Sequence, residues 1–135
     1  MLDAYQEFWR VWLKANNPPN PDDPDLARVA TGAELDTVRA SIHASLETGT
    51  MTRLPTESRY HHRAAVLTVS AITATVTDCA LDDAQIVVQR TGQVLNGEVA
   101  THAIAAELRH VDNRWRVLRL SITNRVANGP EPCEP

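Results

Sequence analysis

Residues 72–89, ITATVTDCALDDAQIVVQ, decide how the chain is read. In an extended chain successive side chains point to opposite faces. Ile72, Ala74, Val76 and Asp78 therefore share one face, and Thr73, Thr75, Thr77 and Cys79 share the other. The apolar row predicts a core-facing side, the threonine row a more polar one. The segment reads as two antiparallel strands, 72–79 and 85–90, joined by an acidic connection that gathers Asp78, Cys79, Asp82 and Asp83. Asp78 ends the apolar row, so its carboxylate either caps turn amides or sits at the lip of a cavity. The general preference of Asp for turns favours capping.

Alternation extends on both sides of this segment. A short strand is expected over 52–55, and longer ones over 60–69, 100–110 and 115–122. Ser70-Ala71, Thr91-Gly92, Asn96-Gly97 and Asp112-Asn113 mark turns, the last two with residues suited to positive φ. Upstream, the period is helical. Residues 3–15 read as an amphipathic helix with Asp3 and Gln6 as a capping pair. Leu2, Tyr5, Trp9, Trp12 and Leu13 fall near one face, with Phe8 beside it. Four of the six aromatic residues lie in this helix, so it covers something large. A core stripe is the preferred reading, an aromatic cavity wall the sharper one.

Asn16-Asn17-Pro18-Pro19 ends that helix. A short second helix follows, with Asp23 as cap and Pro24 at its first position. Thr31 and Glu34 form a capping-box pair for a third helix, whose apolar stripe is Leu35, Val38, Ile42 and Leu46. His43 lies beside that stripe and reads as half-buried, while Gly49 suits the helix stop. Helices first and strands afterwards predict an α+β fold, with the helices packed into a curved antiparallel sheet. The division expected is a domain over 1–124 and a flexible Pro-rich tail over 125–135.

Composition is that of a globular protein: 135 residues, 43% hydrophobic, 22% charged, with a formal net charge of −4. That charge argues against nucleic acid, whose phosphates need a concentrated basic surface. No apolar run approaches the roughly 20 residues that span a bilayer. The N-terminus lacks signal-peptide character, so the chain reads as cytoplasmic, or else as the soluble part of an exported precursor. Cys79 is expected as a free thiol, because Cys133 lies in the tail with little reason for fixed geometry.

The segments YQEFWRVWLKANNPPNPDDPDLARVATG (5–32), ATVTDCALDD (74–83), a Thr-Gly turn and a closing RWRVLRL strand (114–120) resemble actinobacterial proteins of the NTF2-like superfamily, over about residues 4–122. The resemblance implies a curved sheet wrapped round a long helix as a cone, often with a pocket and often dimeric. The superfamily includes enzymes of ketosteroid isomerase-like, epoxide hydrolase-like and scytalone dehydratase-like type, and many non-catalytic modules. No isomerase-type Tyr-plus-Asp pair or epoxide hydrolase-type Asp-Arg-Asp set maps onto this chain.

No phosphate loop, zinc-type spacing or nucleophile elbow occurs. His61 and His62 point to opposite faces of one strand and cannot chelate a metal together, so neither a metal nor a cofactor is expected. A simple meander would place Tyr60, His61 or His62, Asp78, Asp82, Asp83, His110 and Trp115 on one rim, with His102 at the far end. Asp78 and His110 are then the candidates for acid–base work. Tyr5, Trp9, Trp12, Tyr60, Asp78, His110 and Trp115 are the candidates for ligand binding. The preferred function is a non-catalytic module binding a small apolar ligand or a protein partner, the alternative an acid–base enzyme using a pocket Asp. A homodimer through the outer sheet face is expected, because Leu118, Leu120 and Ile122 alternate with Trp115 and Val117.

Overall fold

Three helices precede seven strands in the computed structural model, which describes residues 1–127. They are α1 (Leu2–Ala15), α2 (Leu26–Val29), α3 (Gly32–Thr48), β1 (Thr50–Arg53), β2 (His61–Val69), β3 (Thr73–Asp82), β4 (Gln85–Val88), β5 (Val94–Asn96), β6 (Ala100–Val111) and β7 (Arg114–Ala127). The fold is α+β and cone-like, and its antiparallel sheets do not close into a barrel. Two sheets form, a main one of order β2-β3-β6-β7 and a smaller one of order β1-β4-β5.

The pivotal alternation holds from residue 73 onward, but Ile72, expected in the core-facing row, precedes β3 and is exposed. Ala74, Val76, Asp78 and Ala80 are buried on one face of β3, and Thr73, Thr75 and Thr77 lie on the more exposed face. Its continuation differs from expectation. β3 and β4 are not a hairpin, since β3 pairs with β2 and β6 while β4 pairs with β1 and β5. The three-residue β5 has no periodicity of its own and escapes a pattern reading. Counting it reverses the direction of every later strand, so β6 runs antiparallel to β3. The single rim expected for the polar residues is therefore divided between two ends of the sheet.

Bulges re-aim β7. Register shifts fall between Glu107 and Leu108 and between Ala103 and Ile104, leaving Leu118 and Thr123 as extra residues on β7. An extra residue turns the following side chains to the other face. Leu120 and Ile122 consequently share the inner face with Val117, opposite Ala106 and Ile104. The outer face of the sheet presents Ala65, Thr75, Thr77, Ala105 and Ser121 instead of an apolar row.

The helices cover the inner face. Tyr5, Phe8, Val11 and Ala15 form the buried stripe of α1, rotated from the expected one, and Trp9 and Trp12 are half-buried at its border. Val38 and Ile42 of α3 and Leu26 and Val29 of α2 complete the core with Ala74, Val76, Ala106, Leu108 and Val117. Helix ends depart from the expected caps. α1 is flanked by Met1, so Asp3 lies within the first turn. Asp25 flanks α2, and Asp23 accepts the Asp25 amide at 2.9 Å. Thr31 flanks α3 without a side-chain bond, and Glu34 is buried instead of reaching back to it. Gly49 does end α3 in the left-handed conformation, at φ 70°. His43 is exposed beside Glu47, and Leu46 is exposed as well.

Arg125, Val126 and Ala127 continue β7 opposite His102, Thr101 and Ala100 and do not begin a tail. The rest of the expected tail, with Cys133, lies outside the described residues. Cys79 is disulfide-bonded, which overturns the expected free thiol. Among the described residues, no helix is long and apolar enough to cross a membrane.

Candidate functional site

Asp78 sits in mid-strand, between Ala64 of β2 and Ile104 of β6, and not in a turn. The turn-capping role belongs to its neighbours. Asp83 accepts the Ser58 hydroxyl and the Arg59 amide, each at 2.6 Å, and Asp82 accepts the Ala84 amide at 2.9 Å. Asp78 is buried and meets side chains from two other elements. The Tyr5 hydroxyl donates to Asp78 Oδ2 at 2.7 Å, and His62 Nδ1 lies 2.5 Å from the same oxygen. A carboxylate oxygen accepts, so Nδ1 carries the proton, and in the neutral ring Nε2 accepts from the Tyr60 hydroxyl at 3.0 Å. Trp9 stacks on the His62 ring with centroids 4.3 Å apart and planes at 17°.

Local sequence explains this convergence. Tyr5 and Trp9 are four apart on α1 and lie on one side of the helix. His62 and Asp78 face inward on adjacent antiparallel strands, two pairs apart in register. Gln6 adds a bond from α1 to the His62 carbonyl at 3.1 Å. The result ties α1 to β2 and β3 through one buried polar chain.

Beside the chain lies a cavity of about 150 Å³. Trp9, Trp12, Tyr60, His62, Ala80, Asp82, His102, Ile104 and Ile122 line it. Asp78 does not; Tyr60 and His62 stand between it and the space. A second, more polar cavity of about 260 Å³ adjoins the first, and Trp12, Asp82 and His102 line both. Its wall includes Ser41, Ser45, Asn96 and the Glu98–Arg125 ion pair.

Electrostatics keep the phenols protonated. Burial pushes the Tyr60 hydroxyl far above its ordinary value, and the charges of Asp82, Asp78 and Asp83 push the same way. Burial, then Asp78, does the same to Tyr5. Burial lowers His102, so its ring favours the neutral form. Tyr5 and Tyr60 are therefore hydrogen-bond donors, not bases.

Of the residues singled out from sequence, the structure brings Tyr5, Trp9, Tyr60 and Asp78 together and sets Trp12 on the adjoining wall. His110 and Trp115 are not part of the group. They pair with each other at the opposite end of the sheet, ring centroids 5.1 Å apart. His110 is six residues along β6 from the partner of Asp78, or about 20 Å at the rise of a strand. The two catalytic candidates, Asp78 and His110, thus do not meet. His102, expected far away, lines the same cavity as His62. His62 is the residue that pattern reading left unresolved, and its inward alternation with Ala64 was the available signal. Among the described residues, no group of three or more His, Cys, Asp or Glu could hold a metal ion.

No family model matches the sequence, and no curated protein matches it by sequence comparison. Among solved structures, the chain is similar to the crystal structure of the intermembrane space region of the chloroplast protein ARC6. The TM-score is 0.66 at 16% identity, over 89% of this chain and 91% of that one. At that identity the likeness concerns the fold, which the two share along nearly their whole length.

Proposed function

We propose that this chain is a non-catalytic NTF2-like module whose inner cavity binds a small apolar ligand. The observation that carries the reading is the cavity beneath α1. Its apolar walls are Trp9, Trp12, Ala80, Ile104 and Ile122; of the polar groups beside them, Tyr60 and His62 are bonded within the Asp78 chain, and Asp82 and His102 complete the lining. About 150 Å³ of apolar space is enough for a benzene-sized molecule. The alternative, an acid–base enzyme, draws on the Asp78–His62–Tyr60 chain, which ends at the cavity wall. It is disfavoured because the terminal group is a phenol held protonated, and Asp78 stands behind it.

The module is further proposed to be a homodimer. The Leu120 and Ile122 side chains that first motivated this face inward. Ile122 is still half exposed on that inner face, and the outward apolar cluster that motivates a dimer is Val66, Leu67, Val69 and Ile72, at the β2–β3 tip. The disulfide at Cys79 fits an oxidising compartment, and hence the exported alternative.

Toluene titration, followed by the Trp9 and Trp12 indole resonances, tests the cavity. Saturable shifts are expected, and Ala80→Leu, which fills the space, should abolish them without altering the circular dichroism spectrum. Shifts that persist in Ala80→Leu, or a wild-type protein that shows none, would refute the reading.

A further inference from the structure

The aromatic cavity holds one carboxylate that the internal hydrogen bonding does not use up. Asp82, at the end of β3, is half-buried and lines both the inner and the outer space. Its Oδ1 accepts the Ala84 amide, and among the described residues its other oxygen meets no hydrogen-bond donor and the group no ion pair. Nearby groups do not neutralise it. Arg125 is engaged by Glu98, the Tyr60 hydroxyl is committed to His62, and burial favours the neutral form of His102. Asp82 shares the inner cavity with the rings of Trp9, Trp12 and Tyr60. Aromatic walls attract cations through their π-electrons, most strongly where water is excluded. A carboxylate among such rings adds a full charge of the same preference.

We propose that the ligand of this cavity is a small apolar cation, a protonated or quaternary amine carried on a ring-sized hydrocarbon body. Its ammonium group sits at Asp82, between the two cavities, and its body fills the space against Ile104 and Ile122. The inference rests on the ligand-binding reading above and adds to it the charge of the ligand. An anion is disfavoured at the same place, because it would meet Asp82 directly. A neutral ligand of equal shape would leave the Asp82 charge uncompensated in the bound state.

Benzylamine, benzyl alcohol and benzoate form a matched set of cation, neutral and anion on one ring. Each is titrated into the full chain at pH 7 and low ionic strength, with the Trp9 and Trp12 indole resonances as readout. Benzylamine should bind about tenfold tighter than benzyl alcohol, and benzoate should not bind. Asp82→Asn keeps an oxygen for the Ala84 amide and removes the charge. It should erase the preference for benzylamine, bringing the ratio of the benzylamine and benzyl alcohol affinities to about one. Asp82→Ser, which can also accept the amide, should behave alike. Equal affinities for benzylamine and benzyl alcohol in the unsubstituted protein overturn the cation assignment and leave the apolar module standing. So does a preference that survives both substitutions. Failure of all three probes to bind overturns the cation assignment and the ligand-binding reading together.

Discussion

Asp78 accepts from Tyr5 and His62 through one oxygen, and this bond pair decides how α1 is held. A buried carboxylate that loses a partner leaves a donor unsatisfied, which costs more than the bond itself. Asp78→Asn should therefore destabilise the fold by about 1–3 kcal/mol in urea denaturation, because the amide oxygen that accepts both bonds carries no charge and its NH2 replaces a buried oxygen that has no partner. Tyr5→Phe should cost about 1–2 kcal/mol. The two together should couple by more than about 0.5 kcal/mol, since both act on one bond. An unchanged urea midpoint for Asp78→Asn would show that the pair does not fasten α1. Thiol titration of the unfolded, unreduced chain should find no reactive thiol at Cys79.

At the scale of elements, α3 meets β7 through an acid and a glycine. Burial raises Glu34 to about 7 from its ordinary 4.5, and the Leu120 backbone amide offsets part of that rise. The folded state then holds a proton that the unfolded chain releases between those two values. The contribution of Glu34 is full below about pH 4.5 and is lost as pH rises through 7. Discounted for solvent screening, the effect should be on the order of 1 kcal/mol. Urea denaturation at pH 5 and pH 8 should show Glu34→Gln losing this slope and exceeding the natural protein in stability at pH 8. Gly32 has φ +53°, and a Cβ there would lie 2.7 Å from Leu118 Cδ1. Leucine can move aside but the backbone strain stays, so Gly32→Ala should cost about 1–2 kcal/mol by the same assay. Neither effect was legible beforehand. Thr31 and Glu34 have capping-box spacing, yet packing against β7 buries the carboxylate, and a burial of that kind is a tertiary event.

For the whole molecule, the test is association. Light scattering at high micromolar concentration should give a dimer, and Leu67→Lys at the exposed β2–β3 tip should shift it toward monomer. A monomer at that concentration would remove the dimer from the proposal. The outer sheet face, with Ala65, Thr75, Thr77, Ala105 and Ser121, offers a small-residue surface, so a dimer insensitive to Leu67→Lys would point there.

Local pattern alone determined the element types. Period-two alternation on β3 and helical spacing on α1 are properties of a few neighbouring residues; the buried side of β3 followed from them, while the buried stripe of α1 came out rotated toward Phe8 and Val11. The turn at Asp112-Asn113 was equally local, and both residues do adopt positive φ. Strand partners were not local. A three-residue β5, with only Val94, Leu95 and Asn96 to mark it, set the direction in which β6 returns. The bulge at Leu118 turned Leu120 and Ile122 inward. These choices are made by backbone pairing and by the burial of distant side chains against one another. That is why Asp78 could be picked out from sequence, while its partners, Tyr5 and His62 in place of His110, were decided only when α1, β2 and β3 came together.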